Sequence, residues 1–451
     1  MAAIASFVAE IPMRCAPASW PALLLLTACA RAPESSARAD EDPVPTPAAA
    51  AAAPPASPAV APAPPATPEP VAPAFVPDPA RFPARYLAFD GACERGEVVT
   101  IAAIGDVLMH HELQKQAYAA KDHFGVLWSG VADLIARADV SYANLEVPIA
   151  AGLTKDGAAD DPGMTFDNAV YTGYPFFNAN PILAKDLVDT GIDIVSTANN
   201  HALDRGSDGL VRTLDALDAV GLAHAGSRRS AKEPWHAITT AKGLRIAWVA
   251  CTLHTNFGKD DKGQVLHCFT QTKQLLAQVE QLAKSDDVDA VIVTPHWGKE
   301  YDPQPADKQR VLAQQLVDAG ATAVLGAHPH VLQPWEQLVA PDGRQALVLY
   351  SLGNFAHHQR SLPRRSSIIA YLGLRRGADG NATVVGARYL PIHVRMEGDK
   401  QAFFVESIDR VGGPDDARAL VVDMYGPANL IGPDDALVMA PQCDRSWPKA
   451  D

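Results

Sequence analysis

An α/β fold is predicted by three observations on the 451-residue sequence. From near Arg81 onward, strand-like apolar runs alternate with helix-like segments. The connections between them are short, and several helix-like segments stop at a glycine where a left-handed cap is expected, at Gly191, Gly221 and Gly320.

In chain order, a strand is expected over residues 98–104, a helix over 125–138 and a strand over 140–145. Helix 181–190 leads through Gly191 into strand 192–197, and helix 209–220 through Gly221 toward strand 244–250. Helix 272–284, strand 288–294 and helix 306–319 continue the alternation, and Gly320 passes the chain into strand 321–325. Strands 347–351, 367–374 and 383–394 then follow one another without helices. They are expected to form a second, mixed or antiparallel sheet packed on the first.

The chain ahead of this domain reads differently. Residues 20–29 are WPALLLLTAC, an apolar run too short to span a bilayer and ending in small residues, as an export signal does. The Leu-Thr-Ala-Cys ending resembles the bacterial lipobox, which implies lipidation of Cys29, and Met13 is a better start than Met1 for such a leader. Residues 30–80 are dominated by Ala and Pro, with almost no large apolar side chains, and are expected to be a disordered, extended spacer. The expected organisation is thus a leader over 1–29, a spacer over 30–80, a folded α/β domain over 81–400 and an extension over 401–451 packed upon it. Ala30 after Cys29 points to the outer membrane of a two-membrane cell, with the protein facing the periplasm or the outside.

The formal charge of −14 and the lack of a Lys/Arg stripe exclude a nucleic-acid partner. Cys93, Cys251, Cys268 and Cys443 remain in an oxidising compartment, either as disulfides in one of three connectivities or as buried thiols.

Short polar motifs stand where the strands end. They are GD with Asp106, ANLE with Asn144 and Glu146, STANNHALDRG with Asn199, Asn200, His201 and Asp204, HWGKEY with His296 and Glu300, and GAHPH with His328 and His330. In an open α/β sheet the carboxyl ends of strands face one crevice, so these side chains are expected to converge. His328 and His330, two apart on an extended strand end, would address one site about 7 Å from each other. Imidazoles, an amide oxygen and carboxylates are the donors of a divalent-metal site, and a buried carboxylate beyond an apolar strand is costly unless paired or metal-bound. Glu300 is a candidate partner for the free nitrogen of His296. Asp204 either orients His201 or caps the turn into the next helix.

In the order GDVLMH, ANLE, ANNHALDRGSDGL, HWGKEY, GAHPHVLQ and YSLGNF, the sequence resembles the CapA, or poly-γ-glutamate capsule synthesis, family, related to the calcineurin-like metallophosphoesterases. The resemblance covers residues 98–394. It implies a four-layer α/β sandwich, two packed sheets flanked by helices. It also implies two divalent ions (Mn, Zn or Fe), with Asp106, Glu146, Asn200, His296, His328 and His330 as ligands, Glu146 bridging, and His201 as catalytic imidazole assisted by Asp204. Two departures stand out. Metallophosphoesterases carry a histidine two residues after the first aspartate, where this chain has Leu108, so His110 would have to replace it. The bridging acid is Glu rather than Asp.

Asn354, at the rim of YSLGNF, is a candidate for orienting substrate. Arg360, Arg364, Arg365, Arg375 and Arg376, with His357 and His358, form the one arginine concentration and a candidate seat for a polyanion. The expected activity is metal-dependent hydrolysis of a phosphoester or polymer amide by an envelope lipoprotein of capsule or surface-polymer biosynthesis, alongside other capsule-synthesis components. The alternative is a non-catalytic accessory that binds or exports an anionic polymer.

Overall fold

A computed structural model describes residues 87–90, 92–377, 380–398 and 402–437. The leader with Cys29, the spacer over 30–80, Cys443 and the end of the C-terminal extension lie outside the described residues. No helix among the described residues is long and apolar enough to cross a membrane.

The strands are β1 (Val98–Val107), β2 (Val140–Leu145), β3 (Leu153–Thr154), β4 (Gly157–Ala158), β5 (Ile194–Ser196), β6 (Ala223–Ala225), β7 (His236–Ala241) and β8 (Leu244–Thr252). They continue with β9 (Ala290–His296), β10 (Ala323–Leu325), β11 (Leu332–Val339), β12 (Gln345–Leu352), β13 (Asn354–Ala356), β14 (Ser366–Arg376), β15 (Ala382–Glu397) and β16 (Ala402–Ser407). The helices are α1 (His111–Ala119), α2 (Ala132–Ile135), α3 (Ile182–Asp189), α4 (Gly206–Ala219), α5 (Thr272–Ala283), α6 (Asp307–Asp318), α7 (Leu362–Arg365), α8 (Ile408–Val411) and α9 (Asp415–Tyr425).

Two mixed sheets result, with orders β16-β15-β14-β1-β2-β5-β6 and β11-β12-β10-β9-β8-β7. The helix-linked strands β1, β2, β5 and β6 run parallel in one, and β8, β9, β10 and β12 run parallel in the other. Period-two alternation splits the second sheet cleanly. Ile246, Trp248 and Ala250 of β8 face the first sheet, whereas Ala247, Val249 and Cys251 face Leu275 and Val279 of α5 and Leu312 and Leu316 of α6. Tyr142 of β2 stacks on Trp248 of β8 across the interface, with centroids 5.4 Å apart. With α3 and α4 covering the outer face of the first sheet, the layers are helix, sheet, sheet, helix, the expected four-layer sandwich.

The division of strands differs from the expectation. The strands expected over 367–374 and 383–394 do not build the second sheet; they extend the first as β14, antiparallel to β1, and β15, antiparallel to β14. The cause is local. After β12 the chain turns at Gly353, with φ of 67°, and crosses to the first sheet, where β13 pairs parallel with β1. The crossing is so close that a Cβ on Gly105 would lie 1.9 Å from the Gly353 carbonyl oxygen, which is why glycine precedes Asp106.

The helix expected over 125–138 is a 3-10 turn, His123–Leu127, followed by the short α2. Gly130 between them bridges to Glu406, and the Phe124 N–H donates to the Asp186 carboxylate, so tertiary partners take the backbone groups a continuous helix would use. Gly191, Gly221 and Gly320 carry positive φ as expected of helix-ending glycines. Strand β11 went unread because Pro334 interrupts it; the strand tolerates proline at an edge.

Cys251 and Cys268 form a disulfide, and Cys93 is disulfide-bonded too, so the free-thiol alternative fails for these three. The Cys251–Cys268 bond closes a separation of 17 residues. Replacing both by Ala is expected to lower unfolding free energy by about 3 kcal/mol, seen as a lower urea midpoint with a steeper slope, because the unfolded chain expands.

Candidate metal centre

The site lies at the carboxyl ends of the parallel strands, built from one polar residue per strand. In register across the first sheet, Asn354 of β13 lies beside Asp106 of β1, Asp106 beside Asn144 of β2, and Asn144 beside Ser196 of β5. From the second sheet, β9 ends in His296. The GAHPH segment follows β10 as a loop rather than an extended strand end. His328 and His330 have φ of 97° and 58°, a region that costs a non-glycine residue roughly 1–3 kcal/mol each, so packing holds both rings in place against local preference. Gly326 ahead of them permits the close approach: a Cβ there would lie 2.0 Å from the Tyr350 carbonyl oxygen.

Two groups of side chains that could each hold a metal ion share one carboxylate. Glu146, His296 and His328 place donor atoms within 4.8 Å of one another, and so do Asp106, Glu146 and His330. His296 Nε2 lies 3.4 Å from Glu146 Oε1, 3.0 Å from His328 Nδ1 and 2.9 Å from Asn200 Oδ1. His330 Nδ1 lies 3.0 Å from Asp106 Oδ2, and its Nε2 3.8 Å from Glu146 Oε1.

Both oxygens of Glu146 are fully buried without a hydrogen-bond partner. An unpartnered buried carboxylate is costly, and divalent cations relieve that cost. The donor set of carboxylate, imidazole and amide oxygen suits a borderline divalent ion. Burial, reinforced by Asp106, pushes the Glu146 carboxyl well above the usual carboxylate range. Burial holds the His296 and His328 imidazoles well below their ordinary value, so each keeps a lone pair for a ligand role at neutral pH.

Outside the ligand groups, Asn144 braces them. Its amide donates to Asp106 Oδ1 at 2.7 Å and lies 3.2 Å from His296 Nδ1, while Ser196 donates to its carbonyl at 2.7 Å. The expected partner of His296, Glu300, is not among these contacts. Glu300 is exposed on the cleft wall beside Tyr301, and Asn144 takes the position next to His296 Nδ1. Asn354 accepts from or donates to its neighbours at two atoms: Oδ1 lies 3.0 Å from His330 Nδ1, and Nδ2 donates to the His330 carbonyl at 3.0 Å.

His201 faces the cleft from the loop after β5. Its Nδ1 lies 2.7 Å from Asp204 Oδ2, which also accepts from the Phe177 N–H, so Asp204 orients His201 rather than capping the helix. Burial raises the Asp204 carboxyl, against the pull of the His201 bond. The free Nε2 of His201 meets Asn256 Nδ2 at 3.4 Å. Asn256 belongs, with His254, to the loop beyond β8, which the sequence reading missed. A histidine two residues past an apolar strand was the available signal.

The cleft over the centre has a volume of about 520 Å³ and is walled by Tyr174, Phe177, Phe257 and Tyr301. Leu108 lines it, and His110 does not take the missing ligand's place: it lies outside both groups, with Nδ1 3.1 Å from the Leu108 carbonyl and its ring edge-on to Phe177.

The arginine concentration disperses. Arg375 pairs with Glu94 and Arg376 with Asp289, far along β14 from the cleft, while Arg365 points to the Val394 carbonyl. Arg364 packs on a cleft residue, its guanidinium 3.6 Å above the Tyr301 ring.

Comparison with known proteins agrees with the motif order. The chain is 26% identical to the capsule biosynthesis protein CapA of Bacillus anthracis over 288 residues, covering 62% of this chain and 64% of that protein. It is 30% identical to the PGA biosynthesis protein CapA of Bacillus subtilis over 234 residues, 50% of this chain and 59% of that one. The chain thus spans less than two thirds of these relatives' lengths. Among solved structures, the NAD nucleotidase of Haemophilus influenzae aligns over 75% of this chain and 57% of its own, at 11% identity and a TM-score of 0.42. The model of the bacterial capsule synthesis protein PGA_cap family matches residues 100–359, more than half the chain, and the protein belongs to that family.

Proposed function

We propose that the protein acts in capsule or surface-polymer biosynthesis as a metal-dependent hydrolase with two divalent ions, anchored in the cell envelope through lipidated Cys29. The observation that carries the reading is Glu146, common to both groups, with both oxygens buried and without a hydrogen-bond partner. Asp106 and His330 would hold one ion, and His296, His328 and Asn200 the other. Bound ions would lower the pKa of a water molecule and polarise the substrate's phosphoryl or carbonyl oxygen. His201, held at Nδ1 by Asp204, presents Nε2 to the cleft and can give a proton to the leaving group.

The names of the relatives, capsule and PGA biosynthesis proteins, support an anionic polymer or its phosphoester precursor as substrate and an envelope location. Leu108 favours a second reading, an accessory that binds polymer without turnover. Metal analysis of protein purified without chelator, followed by a phosphoesterase screen with Mn, Zn and Fe, separates them. Near-stoichiometric metal with turnover is expected; metal-free protein that still binds polyglutamate selects the accessory. Palmitate labelling that persists in Cys29→Ala would remove the anchor.

A further inference from the structure

We infer that Arg364, stacked on Tyr301, is a subsite that seats an anionic group of a linear substrate beside the metal centre; this rests on reading that centre as the place where substrate is processed. Four observations converge on these two residues. Tyr301 lines the cleft, is 42% exposed and lies 6.0 Å from the His330 ring, between the metal ligands and solvent. Its φ of 65° is unfavourable for a tyrosine, and the 2.7 Å bond from its N–H to the Pro329 carbonyl ties that strained backbone to the loop carrying His328 and His330. The guanidinium of Arg364 covers the ring at 3.6 Å. The Arg364 carbonyl accepts from Asn354 Nδ2 at 3.1 Å, and Asn354 in turn contacts His330, so the backbone under the arginine is fixed to the ligand shell.

The charge itself is uncommitted. The carboxylates that occupy Arg375 and Arg376 have no counterpart at Arg364: none among the described residues pairs with it. Stacking leaves the edge of a guanidinium free for two parallel hydrogen bonds, the geometry that receives a carboxylate or a phosphate. In a chain of net charge −14, a cation stacked on a cleft residue discriminates acidic substrates from neutral ones.

The test is fluorescence anisotropy with a labelled decamer of γ-linked glutamate, titrated into the metal-loaded full chain. A second arm uses a glycerol-phosphate oligomer of equal charge, which tells carboxylate from phosphate. Arg364→Gln is expected to raise Kd roughly tenfold or more for the preferred oligomer, and Tyr301→Leu several-fold, at unchanged metal content. Arg364→Lys keeps the charge but not the fork and should recover only part of the loss. A Kd for Arg364→Gln within twofold of wild type, or wild type that binds neither oligomer, overturns the subsite. Arg364-dependent binding without any turnover would instead remove the hydrolase and leave the subsite standing.

Discussion

Glu146→Gln is expected to lose both metal ions and, with them, hydrolysis, because this carboxylate alone belongs to both ligand groups. The drop in metal affinity should exceed the ~10–100-fold typical of residues that merely orient ligands. The metal-free protein should respond in the opposite sense. The Glu146 carboxyl is raised by burial, so the folded metal-free state keeps its proton to higher pH than the unfolded chain. Its contribution to stability is present in full below the ordinary carboxylate range and is lost as pH climbs toward the raised value. Gln removes that loss. The difference between variant and wild-type denaturation curves should therefore grow with pH in the variant's favour without metal and reverse with metal. For the same reason metal binding should expel a proton and tighten as pH rises. Equal metal content in wild type and variant would refute the bridging role.

His201→Gln should cut kcat by roughly 10²–10⁴-fold, the usual worth of a positioned general acid, while leaving metal content intact. The distinction matters because His201 lies close to the ligands without belonging to either group. Asp204→Asn should lower kcat less, about tenfold. An amide can satisfy the Phe177 N–H, but it no longer holds the His201 ring as a carboxylate does. Loss of metal from His201→Gln would make His201 a ligand and leave the proton donor unassigned.

The convergence of these side chains was legible in the sequence because each stands next to an apolar strand, and the crevice at the carboxyl ends of parallel strands gathers whatever those strands deliver. Asp106, Glu146, Asn200, His296, His328 and His330 are all brought together. The route was partly different from the expected one. His328 and His330 converge through a strained loop and not through extended spacing, a conformation no local preference predicts. The cleft wall was not legible, because Tyr174, Phe177 and Tyr301 acquire a role only when loops from both sheets meet. Nor was the split of strands between sheets, since β14 and β15 are near-continuously buried runs that either sheet accommodates; the close approach of Gly105 and Gly353 decides it. Asn144 braces Asp106 and His296 together, and that pairing required the register of β1 and β2.

Electron paramagnetic resonance of the protein loaded with Mn(II) addresses the shared carboxylate directly. Two ions bridged by Glu146 would lie about 3.5–4 Å apart and give an exchange-coupled spectrum. That coupling should vanish in Glu146→Gln. A spectrum of isolated Mn(II) alone in the fully loaded wild type, or coupling that survives Glu146→Gln, would contradict a centre built around this residue.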